Sequence, residues 1–137
     1  MIVVSDTSPL NYLVLIDAIG VLPKLFNKVH APPQVMRELL HPRSPDAVKH
    51  WATSAPDWLQ VSSPSTVRMP FALGLDPGEA EAIALAIELR ASAVLIDEKK
   101  GRRVAKAQGL WTLGTITVVE LAAEQGMLDL RSALTSL

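Results

Sequence analysis

Short apolar runs alternate with longer helical patterns along this chain, and that alternation limits the fold more than any other feature. Three or four apolar residues with no polar alternation suit a strand buried on both faces. Strands separated by helices pair in parallel, because each connection must cross back over the sheet. Ile2-Val3-Val4 and Ala93-Val94-Leu95-Ile96 are the clearest such runs, with weaker ones at Lys28 to Ala31, Trp58 to Val61 and Leu110 to Leu113. The expected class is α/β, with a mostly parallel central sheet.

Caps and breakers place the helices between these strands. Ser8 is positioned to cap a helix with Pro9 first, running to about Ala18 and ended by Gly20. Val21 to Phe26 reads as a short second helix, and Pro32-Pro33 opens one carrying Val35, Met36, Leu39 and Leu40. Ser44-Pro45-Asp46 starts another, to about Ser54, and the Ser-, Pro- and Gly-bearing stretch 62–75 reads as a flexible loop. Asp76-Pro77-Gly78-Glu79 opens the clearest helix, to about Arg90. A basic helix from about Lys99 to Gln108 stops at Gly109. Thr115 or Thr117 caps a helix to Gln125, and Asp129 caps a last short one.

Composition removes several chemistries. There is no cysteine, so disulfides, thiolate zinc sites and cysteine nucleophiles are excluded together. That fits a reducing compartment. No apolar run approaches the ~18 residues of a membrane span. The opening Met-Ile-Val-Val-Ser-Asp lacks the basic segment and small-residue cleavage site of a secretory signal. With 137 residues, nearly half of them apolar, the expectation is a single soluble, cytoplasmic domain over 1–137 with no membrane partner. The formal charge of −1 means that any affinity for nucleic acid must come from a local basic patch.

Two aspartates are placed where chemistry is usual. Asp6 and Asp97 each follow an apolar strand, and ligands of open parallel sheets bind outside the carboxyl ends of the strands. Two carboxylates gathered there repel unless a cation or a proton lies between them. The plainer reading makes each one a cap or turn for the next helix. Glu79 also has two readings. Asp76-x-x-Glu79 has the form of a capping box, yet Glu79 lies in line with Ile83 and Ile87, where an unpartnered carboxylate is costly. Glu81 faces elsewhere, in line with Leu85. Glu38, beside Leu39, reads on its own as a solvated helix residue.

Together these residues resemble the PIN-domain family, in particular the small prokaryotic members related to VapC-type toxins. Val3-Val4-Ser5-Asp6-Thr7-Ser8-Pro9-Leu10 is similar to the first family motif, and Val35-Met36-Arg37-Glu38-Leu39 to the second. Leu75 to Ala86, with Val94-Leu95-Ile96-Asp97 and Gly101 to Ala105, resembles the DUF3368-like group, whose helix begins Gly-Glu-Ala-Glu-Ala. The likeness spans about Ile2 to Gly126.

The resemblance implies a three-layer α/β/α PIN-like fold and a metal-dependent ribonuclease. Asp6, Glu38, Glu79 and Asp97 would be its catalytic and metal-binding set, with Thr7, Ser8, Glu81 and Glu98 supporting. Relatives commonly carry Asp at the third acidic position, so the assignment between Glu79 and Glu81 stays open. An all-carboxylate set suits Mg²⁺ or Mn²⁺ over zinc, and His30, His41 and His50 are isolated. Lys99, Lys100, Arg102, Arg103 and Lys106 follow Asp97 closely and are candidates for RNA phosphates, the plainer reading being a solvated helix face. Trp51, Trp58 and Trp111 read as packed or partner-facing. A toxin of this kind further implies a homodimer and a cognate antitoxin protein.

Three other readings compete. A haloacid-dehalogenase phosphatase needs a second Asp two residues after the first, where this chain has Ser8. A receiver domain needs an early acidic pair, which Ser5-Asp6 does not supply. A catalytically inactive PIN-like interaction module would be marked by loss of a key acidic residue, and all four positions remain acidic.

Overall fold

In the computed structural model, which describes residues 1–65 and 74–137, five short strands form one parallel sheet in the order β3-β2-β1-β4-β5. The strands are β1 (Val3–Ser5), β2 (Val29–Ala31), β3 (Leu59–Val61), β4 (Ala93–Leu95) and β5 (Thr112–Leu113). Among the described residues eight helices connect them: α1 (Thr7–Leu15), α2 (Val21–Phe26), α3 (Pro33–Leu39), α4 (Asp46–Thr53), α5 (Pro77–Leu89), α6 (Lys99–Ala107), α7 (Thr115–Glu124) and α8 (Leu130–Ser136). This is the expected α/β/α arrangement, with every pairing parallel.

Alternation along β1 divides the core. Val3 joins Leu10, Leu13, Leu22, Val35, Leu39, Val48 and Val118 on one face of the sheet. Val4 joins Ala82, Ile83, Leu85, Ala86, Val94, Ile96 and Ala105 on the other, under α5 and α6. A strand clad on both faces needs apolar residues at successive positions, which explains why these runs lack polar alternation. At roughly 25 cal/mol per Å² of apolar burial, each fully enclosed Leu or Ile adds about 2 kcal/mol.

The topology decides where a ligand can lie. From β1 the chain steps to β2 and β3 on one side, then returns to place β4 on the other side of β1. The reversal falls between β1 and β4, registered Val3 to Ala93 and Ser5 to Leu95. Helices on opposite faces diverge at such a point and leave a crevice at the carboxyl ends of the strands. Asp6 and Asp97 sit at those ends.

Several expected boundaries move. The first helix starts at Thr7, with Asp6 and not Ser8 as its extended N-cap residue (ψ 176°). Pro9 is tolerated there because the first-turn N–H groups have no partner within the helix anyway. The helix closes at Leu15, three residues short of Ala18, and Asp17 takes a left-handed φ of 58°. Ser44 is likewise no cap for α4: its hydroxyl donates to the Glu38 carbonyl at 2.9 Å. Of the loop expected over 62–75, positions 66–73 lie outside the described residues.

Candidate active site

Asp6 is carried to the crevice by β1, and its backbone N–H donates to the Leu95 carbonyl at 2.9 Å, tying it to β4. Its side chain is buried (3 % exposed), and Oδ1 has no hydrogen-bond partner. Burial raises its pKa to about 7, partly countered by the Thr7 N–H and reinforced by the negative charges of Asp76, Glu79 and Glu38.

Glu79 answers both of its sequence readings. It completes a capping box with Asp76: the Glu79 N–H donates to Asp76 Oδ1 at 2.8 Å, and Oε1 accepts from the Asp76 N–H at 3.2 Å. Its other oxygen, Oε2, is buried and has no partner. Burial pushes this carboxyl up to about 7 as well, with Asp76 and Glu98 adding negative charge. The side chain fits because α6 carries glycine opposite it. A Cβ at Gly101 would stand 2.7 Å from both Glu79 Oε2 and Ile96 Cδ1.

Glu38 reaches the site from α3. Its Oε1 accepts from the Thr7 hydroxyl at 2.8 Å and its Oε2 from the Gln34 amide at 3.2 Å. The space it occupies again depends on glycine, since a Cβ at Gly78 would lie 2.5 Å from Glu38 Oε2. Thr7 therefore orients a carboxylate. Ser8 lies in the first turn of α1 beside it. Glu81 is half-buried, with one oxygen 4.0 Å from Arg37.

Asp97 has different surroundings. Its Oδ1 accepts from the Thr115 N–H at 2.7 Å and its Oδ2 from the Thr115 hydroxyl at 2.6 Å. The N-cap position of α7 is Gly114, not Thr115 or Thr117, and the acceptor for the helix start is Asp97, two residues past β4. Asp97 also lines a cavity of about 290 Å³ with Tyr12, Thr115, Ile116 and Leu137. The structure thus brings Glu38 and Glu79 close enough to act on Asp6 through their charge, and sets Asp97 just past the neighbouring strand β4. Asp76 belongs with the first group through its charge on both Asp6 and Glu79. Its helix-capping motif was visible in the sequence, whereas its part in the site was not.

The sequence matches the profile of DUF3368, a PIN domain, over residues 2–137. The chain belongs to the PIN-domain family. No curated protein is similar enough in sequence to count as a match. PIN domains are generally nucleases, and they usually work with divalent metal ions.

The residues of this PIN domain suit such an ion. Asp6 Oδ1 and Glu79 Oε2 are buried carboxylate oxygens left without partners, an expensive state that a cation would relieve. All donors nearby are hard oxygens. As the side chains stand, no three His, Cys, Asp or Glu residues among those described are gathered tightly enough to hold an ion. Two of the four candidates spend their oxygens on Thr7 and Thr115 instead.

The basic helix begins beside the PIN-domain cluster. Glu98, at the N-cap of α6, is exposed and acts on Glu79 through its charge. Lys99, Lys100, Arg103 and Lys106 are exposed, and Arg102 is half-buried near Gly114. The histidines stay apart: His41 Nδ1 accepts from the Arg43 N–H at 3.0 Å, His50 is exposed, and half-buried His30 on β2 has its pKa lowered by desolvation and by Lys28. Trp51 and Trp58 pack on each other, with ring centroids 6.0 Å apart, against the core. Trp111 is 79 % exposed. No helix among the described residues is long and apolar enough to cross a membrane.

Proposed function

We propose that this PIN domain is a Mg²⁺- or Mn²⁺-dependent endoribonuclease that hydrolyses RNA phosphodiester bonds, acting as the toxin of a toxin–antitoxin pair in the cytoplasm. The observation that carries the reading is the buried pair Asp6 and Glu79, each with an unpartnered oxygen at the crevice between β1 and β4. Two carboxyls kept so nearly dry, with folded pKa values raised to about 7, destabilise the protein unless a cation joins them. Functional sites hold such costs, and a purely structural carboxylate is normally hydrogen-bonded.

In this reading Asp6 and Glu79 hold the cation, with Glu38 and Asp97 completing the set. When bound, the ion supplies positive charge to the scissile phosphate and makes a nearby water easier to deprotonate. The protein's own groups do the positioning. Thr7 fixes Glu38, Thr115 fixes Asp97, and the capping box fixes Glu79, so three carboxylates meet the substrate in set rotamers. Ser8 and Glu98 support the edges of the site. Lys99, Lys100, Arg102, Arg103 and Lys106 offset the acidic cluster so that a polyanion can approach it. The expected partners are RNA, a second copy of the chain and an antitoxin protein.

The test is RNA cleavage by the purified protein with Mn²⁺ or Mg²⁺, beside an EDTA control and the Asp6→Asn protein. Cleavage by wild type alone is expected. Cleavage that survives Asp6→Asn would remove Asp6 from the site. Neither cleavage nor a metal-induced rise in Tm would replace the nuclease with an interaction module.

A further inference from the structure

Beyond the acidic crevice, α6 and the residues after it present a second surface. Lys99, Arg103 and Lys106 are spaced i, i+4, i+7, so they share one helix face on successive turns, about 5.4 Å apart. All three are exposed, and none makes an ion pair with a described residue. Gly101 and Ala105 are the buried residues of α6 and fix its other side to the protein. Gly109, at φ +83°, then turns the chain out of the helix toward Trp111. Trp111 is the most exposed aromatic side chain among the described residues. Together with Lys106, Gly109, Leu110 and Thr112 it lines an open hollow of about 530 Å³.

We propose that this face is a track for single-stranded RNA, with Lys99, Arg103 and Lys106 holding successive backbone phosphates and one unpaired base stacking on Trp111. The inference rests on the ribonuclease reading and adds the strand's path and its form. Three cations on one face, none held in an ion pair by a described residue, suit a polyanion. An indole standing in water next to a lysine offers the two contacts that single-stranded nucleic acid uses, a stacking plane and a phosphate partner. A base inside a duplex has no free face to give, so the track discriminates against paired RNA. Helix α6 starts beside Glu79, and Trp111 precedes β5, at the opposite end of the sheet from the acidic crevice. The track therefore leads away from the cleavage site and requires several nucleotides on one side of the cut.

The test uses the full-length protein in EDTA, so that no cleavage intervenes, with a fluorescent twelve-nucleotide oligouridylate followed by anisotropy across a salt series. Trp111→Ala is expected to weaken binding about 5- to 100-fold, as loss of one stacked base does, with Trp111→Phe retaining most of the affinity. Replacing Lys99, Arg103 and Lys106 with Ala together is expected to lower the slope of log K against log salt by about 2. Affinity for a blunt RNA duplex should not respond to Trp111→Ala. Unchanged oligouridylate binding in Trp111→Ala, or equal losses for duplex and single strand, overturns the track. A loss confined to an acidic polypeptide would assign the hollow to a protein partner and overturn it too. The two readings separate cleanly. Metal-dependent cleavage with unaltered Trp111→Ala binding removes the track and leaves the nuclease. Weakened Trp111→Ala binding in a protein that never cleaves keeps the track and removes the nuclease.

Discussion

Asp6 and Asp97 end neighbouring parallel strands, yet their surroundings are opposite. Asp97 has both oxygens occupied by Thr115, one by its N–H and one by its hydroxyl, and so fastens the start of α7 to β4. Asp6 is more deeply buried and has an oxygen with no partner, while Asp76, Glu79 and Glu38 add negative charge. One corner has a protein donor on each carboxylate oxygen, and the other is left short. A carboxylate with a donor on each oxygen is held in place without an ion. One left short at a strand end is costly until a cation or a proton joins it.

The largest expected effect of substitution is on activity, at Asp6. Asp6→Asn is expected to reduce metal-dependent RNA cleavage at least ~100-fold, measured as initial rates with Mn²⁺. Retained activity would remove Asp6 from the site. In stability the same change should have opposite signs. For metal-free protein, Asp6→Asn should raise the free energy of unfolding by on the order of 2 kcal/mol, since it removes a poorly compensated buried carboxyl. Asp97→Asn should lower it by about 1 kcal/mol, since Thr115 loses a charged acceptor. Urea unfolding in EDTA decides both, and like signs would end the contrast.

The pH dependence sharpens the comparison further. Asp6 and Glu79 have folded pKa values of about 7, against 3.8 and 4.5 when exposed. Between those limits the folded state keeps protons that the unfolded chain has released. Their contribution is therefore full below the unfolded values and is lost as pH rises through about 7. His30, whose folded pKa is lowered from 6.5, acts in the opposite direction just below pH 6.5. The quantity to follow is thus the stability gap between Asp6→Asn and wild type in EDTA, which should widen from pH 5.5 to 8. A constant gap would show that Asp6 ionises normally, and saturating Mg²⁺ should close the gap by restoring the wild type.

The smallest effect marks the edge of the cluster. Glu81→Ala removes only a partly exposed contact of 4.0 Å with Arg37. It should change stability by less than about 0.5 kcal/mol and leave cleavage rates unaltered, whereas Glu79→Gln should act like Asp6→Asn. Equal losses at 79 and 81 would extend the site along α5.

How much of this was legible beforehand depends on the residue. The parallel α/β class and the strands around Val3 and Val94 follow from apolar runs too short for helices, and all five strands lie where those runs place them, to within two residues. The capping box of Asp76 and Glu79 was readable because it is local, four consecutive residues whose bonds close on themselves. At the start of α1 the local signal points to Ser8, a hydroxyl residue before proline, whereas the N-cap is Asp6. The actual boundary is set by where β1 ends against β4. The start of α7 is decided the same way, since the acceptor for the Thr115 N–H is Asp97, eighteen residues earlier and just past β4.

What the sequence determined alone is therefore what short-range stereochemistry fixes: which stretches are helix or strand, which carboxylates lie just past strand ends, and that no cysteine chemistry is present. The tertiary structure alone decided which carboxylates go unsatisfied. Whether an oxygen finds a donor depends on what the sheet reversal between β1 and β4 brings beside it. Thr115 came to Asp97, Thr7 to Glu38, and glycines at 78 and 101 left room for Glu38 and Glu79. Burial and hydrogen bonding are properties of neighbours distant in the chain, and the energy of a charge in low dielectric is set by those neighbours, not by the residue's own place in the sequence.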